Sequence, residues 1–146
     1  MIKAMHHTSI CVEDLERSLE FYRDMLGMKV IIDSRISGPD LDQILALENV
    51  AARRVYVAGY GGKIELFQFD TPPGKPFPED FKVCDVGLTH IAFEVENIQE
   101  LYRELSGKGV RFHSAPLPVQ NRGMVCYLRD PDGVVLEFLE LFTPGT

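Results

Sequence analysis

His7-Thr8-Ser9-Ile10-Cys11-Val12-Glu13-Asp14-Leu15 and His90-Ile91-Ala92-Phe93-Glu94-Val95-Glu96-Asn97-Ile98 are two versions of one pattern at a constant offset of 83 (90 − 7). Around the first copy, Met5 to Val12 reads as a strand, and Asp14 can cap a helix running from Leu15 to about Leu26. Leu15, Leu19, Tyr22 and Leu26 stand near helical spacing, and Gly27 falls where a helix end favours glycine. Lys29 to Ser34 then reads as a second strand. Around the second copy, Thr89 to Val95 reads as a strand, Asn97 as a cap and Ile98 to about Ser106 as a helix. Gly107 and Gly109 end it before a strand-like Val110 to His113. With a three-residue slip, Tyr22-Arg23 and Gly27 match Tyr102-Arg103 and Gly107.

The far ends of the two copies match as well. Ile64-Glu65-Leu66 followed by Thr71-Pro72 lines up with Leu136-Glu137-Phe138 followed by Thr143-Pro144, an offset of 72 (137 − 65). Each half is therefore a strand, a helix and about three further strands, with its His at the start and its Glu near the end. A repeat this short cannot bury its own sheet, so the halves must pack on each other or on another chain. Residues 1–72 form the first module, 73–87 a proline-rich linker without regular structure and 88–146 the second, together one compact domain. The first half is longer. His to Glu spans 58 positions there (65 − 7) and 47 in the second (137 − 90). The surplus lies around Ser37 to Arg54, where Leu41, Ile44, Leu45 and Leu47 suggest a short helix that shapes a substrate pocket or elaborates the surface.

Composition narrows the function. The 146 residues carry a net charge of −7, with 22 acidic against 15 basic side chains. That balance disfavours nucleic acid and anionic membrane as partners, since both are polyanions. No apolar run approaches the roughly 18 residues needed to span a bilayer. Nor does the stretch from Met1 to His7 contain an apolar segment for secretion, so a cytoplasmic location is expected. The cysteines, Cys11, Cys84 and Cys126, are odd in number and make no C-x-x-C pair, which points to reduced thiols. Cys11 and Cys126 read as small residues of a barrel interior.

Strand parity selects among the histidines. Ile10 and Val12 share a face with Thr8 and His6, whereas His7, Ser9 and Cys11 take the other. Ile91, Phe93 and Val95 form the apolar face of the second copy, so His90 points the same way as His7. Glu65 and Glu137 each interrupt an apolar strand, and a buried carboxylate needs a partner. A single His or Glu in a strand is ordinarily structural. Two of each at matched positions are not, whereas His6 and His113 lack repeat partners and read as ordinary residues. Two imidazoles and two carboxylates suit Zn, Ni, Co, Fe or Mn. Asp130-Pro131-Asp132-Gly133 reads as the turn before the Glu137 strand.

These residues resemble the vicinal oxygen chelate superfamily, the glyoxalase, bleomycin-resistance and dioxygenase group. The resemblance is carried by His7-x6-Asp14-Leu15 with Phe21-Tyr22-x3-Leu26-Gly27, by Ile64-Glu65-Leu66, by His90-Ile-Ala-Phe-x-Val and by Asp130-Pro-Asp-Gly-x-x-Leu-Glu137. It implies an α+β fold of two βαβββ modules, forming a cupped, barrel-like mixed sheet with helices outside. It implies one divalent metal ion on His7, Glu65, His90 and Glu137, a set similar to that of glyoxalase I. A metal-bound Glu is the base in that family, a role carried to Glu137 first and Glu65 second. The expected function is a lyase or isomerase, glyoxalase I-like or an epimerase, acting through a metal-bound enediolate on a small carbonyl or thioester substrate. Related epimerases usually have Gln at the Glu65 position. Extradiol dioxygenases and fosfomycin-modifying transferases typically use three ligands, and bleomycin-binding members lack the metal set. The alternatives are thus a dioxygenase, a thiol transferase or a non-catalytic sequestering protein. Exposed sheet edges and apolar faces further imply a homodimer.

Overall fold

The computed structural model describes residues 1–120 and 122–142, which leaves the Thr143-Pro144 end of the repeat outside the described residues. The chain divides into two units, Met1–Pro76 and a second beginning at Phe77.

In the first unit the order is β1 (Thr8–Cys11), α1 (Leu15–Leu19), β2 (Lys29–Ser37), α2 (Pro39–Leu45), β3 (Ala51–Gly59) and β4 (Gly62–Thr71). The sheet order is β1-β4-β3-β2, with β1 parallel to β4 and the other neighbours antiparallel. Tyr60 and Gly61, both at positive φ, make the two-residue turn that joins β3 to β4. The helix opens as its sequence predicts. The Asp14 carboxylate accepts from Glu16 N at 3.0 Å and Arg17 N at 3.2 Å. It does not stay α-helical to Leu26. From Glu20 to Met25 the turns widen to a π-helical pitch, and Leu26 N reaches back to Phe21 O at 2.9 Å. The wider turns take up part of the first half's extra length. Gly27, at φ +74, ends the segment. Leu15, Leu19, Phe21 and Tyr22 are buried with Ile10, Val55, Val57, Ile64 and Leu66. The surplus segment forms α2, while Ala51 to Arg54 extend β3.

The second unit runs β5 (Ile91–Glu94), α3 (Ile98–Gly107), β6 (Arg111–Phe112), β7 (Leu117–Val119), β8 (Gly123–Arg129) and β9 (Val135–Leu141). Its order is β5-β9-β8-β6, with β7 also on β8 and β5 parallel to β9. Both short strands pair antiparallel with β8. They occupy the place of one β2-like strand, interrupted near Pro116, where proline has no N–H to give a ladder. Asp130 is buried and its carboxylate accepts from Asp132 N and Val134 N, which makes the expected turn. The apolar core gathers Ile98, Leu105, Leu128, Leu136 and Phe138.

Both units are mixed sheets with few helices, the α+β class, and neither sheet closes into a barrel. Two further expectations change. Asn97 does not cap α3. It sits at φ +55 without a side-chain cap, and the Glu140 carboxylate accepts from Asn97 N and Ile98 N instead. A carboxylate brought by β9 satisfies the free N–H groups better than the local amide in that conformation. The thiols are also not an interior pair. Cys11 is exposed on the His7 side of β1, whereas Cys126 is opposite Phe138 in the core. Among the described residues no helix is long and apolar enough to cross a membrane.

Candidate metal centre

Parallel pairing of the first and last strand of each half does the positioning. Ser9 registers with Glu65 and Ala92 with Glu137, so the histidine just ahead of each short strand comes beside the glutamate. His7 Nε2 is 3.2 Å from Glu65 Oε2, and His90 Nε2 is 3.1 Å from Glu137 Oε2. Two donors about 2.1 Å from one ion at a right angle are about 3.0 Å apart, so each pair already has the spacing of adjacent ligands. Glu65 is only 6% exposed, which a carboxylate tolerates when a cation shares its site. The structure joins the four selected residues as two pairs, one per unit. Within either unit, among the described residues, no group of three His, Cys, Asp or Glu side chains is arranged to hold an ion.

The residue preceding each histidine holds its ring. His6 Nδ1 lies 2.7 Å from His7 Nδ1, and Thr89 Oγ1 lies 2.8 Å from His90 Nδ1. A partner at Nδ1 fixes the orientation of each ring, with Nε2 toward the glutamate. His6 thereby acquires a role that its lack of a repeat partner concealed. It also meets Lys63 Nζ at 3.0 Å.

Each pair has a tyrosine that the sequence reading overlooked. Tyr56 is opposite Glu65 in the β3–β4 ladder and Tyr127 opposite Glu137 in β8–β9. The rings meet the histidines edge-on, with centroids 5.2 Å apart for His7–Tyr56 and 5.3 Å for His90–Tyr127. A hydrogen bond to Glu65, with burial and the Glu65 charge behind it, raises the Tyr56 phenol above its usual pKa. For Tyr127 burial leads, followed by the charge of Glu137 and a hydrogen bond to it. The signal was present, since the tyrosines precede their glutamates by nine (65 − 56) and ten (137 − 127) residues. His113, read as ordinary, stacks on Tyr127 with centroids 6.0 Å apart, and burial lowers its pKa with help from Arg129.

Each pair offers an imidazole nitrogen and a carboxylate oxygen, donor types that divalent ions take, with a phenol on the carboxylate. YaeR of Escherichia coli is 30% identical over 139 residues, covering 95% of this chain and 97% of that protein. Lactoylglutathione lyase of Haemophilus influenzae is 26% identical over 139 residues, covering 92% and 90%. A glyoxalase family protein from Bacillus cereus superposes with a TM-score of 0.89 over 98% of this chain and 97% of its own, at 23% identity, which speaks for the fold. The family model that matches residues 4–138 spans both His–Glu pairs, and on it the chain belongs to the Glyoxalase/Bleomycin resistance protein/Dioxygenase superfamily.

Proposed function

We propose that the chain is a divalent-metal-dependent lyase or isomerase that moves a proton on the carbon beside a carbonyl of a small carbonyl or thioester substrate. The repeated Nε2–Oε2 spacing of His7–Glu65 and His90–Glu137 carries this reading. His7, Glu65, His90 and Glu137 would hold one ion of the Zn, Ni, Co, Mn or Fe type, within one chain or shared between two copies. When bound, such an ion places positive charge on two substrate oxygens and acidifies the neighbouring C–H. Glu137 takes that proton on a carboxylate oxygen, and Tyr127 steadies the carboxylate through its hydroxyl. Glu65 is the second choice of base. The lactoylglutathione lyase relative supports glutathione hemithioacetals as the first substrates to assay, with 2-substituted acyl thioesters beside them. A fourth protein ligand at Glu65 leaves less room for dioxygen and favours proton transfer over oxygenation.

We further propose a cytoplasmic homodimer. Val30, Ile31 and Ile32 on edge strand β2 are exposed, Ile31 by 51%, and a second copy would cover them. The deciding experiment is metal analysis of protein purified without added metal, followed by those assays. About one ion per chain, lost in a His7→Ala, His90→Ala double variant, is the expected result. Protein that binds no divalent ion, or a double variant that binds it as the parent does, sinks the reading.

A further inference from the structure

On β3 two consecutive arginines face opposite ways. Arg53, on the α1 side, is saturated, since its guanidinium bonds Asp33 at 2.9 and 2.7 Å and also reaches Glu16. Arg54, on the Glu65 side, lies with Cζ 5.4 Å from the Tyr56 ring centroid. Its Nε stands 4.0 Å from Glu65 Oε1, beyond hydrogen-bond reach, and is buried without a partner. Directly across the ladder is Ser34, whose Oγ is equally buried and unbonded. Among the described residues these two atoms are the buried side-chain nitrogen and oxygen with no hydrogen bond, and they belong to register partners on one sheet face. Buried polar groups are nearly always satisfied, so two orphans side by side are exceptional. The Arg54 side chain is 31% exposed, so part of it is open to a ligand, whereas Arg54 Nε and Ser34 Oγ are closed to solvent and meet an anion only when the side chains around them shift.

We propose that Ser34 and Arg54 form an anion subsite that holds a carboxylate or phosphoryl-type group of the substrate while its reacting end lies at Glu65. The proposal rests on the metal reading above. A planar guanidinium beside a hydroxyl donor matches such an oxyanion group. The second half has no such cation there, because Val125 stands two residues before Tyr127 where Arg54 stands two before Tyr56. The subsite therefore distinguishes one end of a substrate from the other. Glu65 opposes an anion at Arg54 until an ion neutralises it, so metal loading should precede anion binding.

The test uses the Co²⁺-loaded full chain, with visible absorption reporting chelation. The probes are acetohydroxamate, which is neutral, N-hydroxysuccinamate, which adds a carboxylate, and phosphonoacetohydroxamate, which adds a phosphonate. At least one anionic probe should bind roughly 10-fold or more tighter than acetohydroxamate, the scale of a charge-assisted contact. The anion that gains identifies the substrate group. Arg54→Met should bring the ratio near one, Ser34→Ala should reduce it by about 3-fold and Arg54→Lys should retain part of it. If Arg54→Met does not fold by circular dichroism, Arg54→Gln takes its place and should likewise bring the ratio near one. If Co²⁺ and acetohydroxamate bind but neither anion gains, or if the gain survives both Arg54 variants, the subsite is wrong and the metal reading stands. If Co²⁺ does not bind, both fall.

Discussion

The two halves of the chain share their chemistry and differ in what surrounds it. Both set a histidine Nε2 just over 3 Å from a glutamate oxygen, 3.2 Å in the first and 3.1 Å in the second. Both bring a tyrosine edge-on to that histidine. Both also hold the start of a helix with a side chain three residues beyond the glutamate. Gln68 Oε1 accepts from Leu15 N at 2.8 Å, and Glu140 accepts from Ile98 N at 3.2 Å. The surroundings diverge. The first half has full-length β2 and β3, an added helix and Arg54, where the second has a broken strand and Val125. Val55 in one core is Cys126 in the other, each the residue just before its tyrosine. Duplication thus supplies like His–Glu–Tyr groups, while unlike neighbours make the two halves unequal.

The largest expected effect tests whether like ligands have like roles. Glu137→Gln keeps an oxygen ligand but removes the basic oxygen, so turnover on the true substrate should fall by roughly 10²-fold or more. Glu65→Gln should be milder. Steady-state kinetics on both variants checks this, and full turnover with Glu137→Gln beside none with Glu65→Gln would exchange the roles.

The two cores should differ at high pH. Burial pushes the Cys126 thiol up to about 11 from an ordinary 9.0, with the Glu137 charge adding to it. The unfolded chain then releases that proton first, so this contribution is whole below pH 9 and is lost as pH rises through about 11. The loss is on the order of 2 kcal/mol. Cys126→Val, which copies Val55, should unfold in urea with a flatter pH dependence over that window. Parallel curves for the two proteins would show that the thiol is not held as described. In the native protein Cys11 and Cys84 should react with a thiol reagent before Cys126, since both are exposed.

Tyr56→Phe and Tyr127→Phe probe the shared part of the pattern. Each should weaken metal binding by roughly 10-fold, the lower end for losing a group that orients a ligand. Chelator competition measures both. A loss confined to one variant would mean that the pairs are alike in geometry but not in work.

The helix starts should separate by the smallest margin. Asp14 caps α1 by itself, so Gln68→Ala removes one of several acceptors, whereas α3 depends on Glu140 alone among the described contacts. Glu140→Ala should cost about 1–2 kcal/mol in urea unfolding and Gln68→Ala about half of that. Equal losses would remove the distinction.

Much of this was legible in the chain itself. Local patterns registered in the sequence because they depend on neighbours. Asp14 is followed by the N–H groups it caps, Gly27 and Gly133 hold the positive φ their places require, and Asp130 closes its own turn. The repeat selected His7 over His6 and paired two glutamates with two histidines, because strand alternation sets faces from residue order alone. Alternation does not say which residue stands opposite. That is decided by ladder register, a property of two distant segments, so the sequence did not reveal that Tyr56 and Tyr127 face the glutamates, that Glu140 replaces Asn97 as a cap, or that Cys126 enters the core while Cys11 stays exposed. Nor could adjacent Arg53 and Arg54 be told apart as saturated and unsatisfied. Order along β3 sends them to opposite faces, but only the tertiary structure set Asp33 and Glu16 on one side and the orphaned Ser34 hydroxyl on the other.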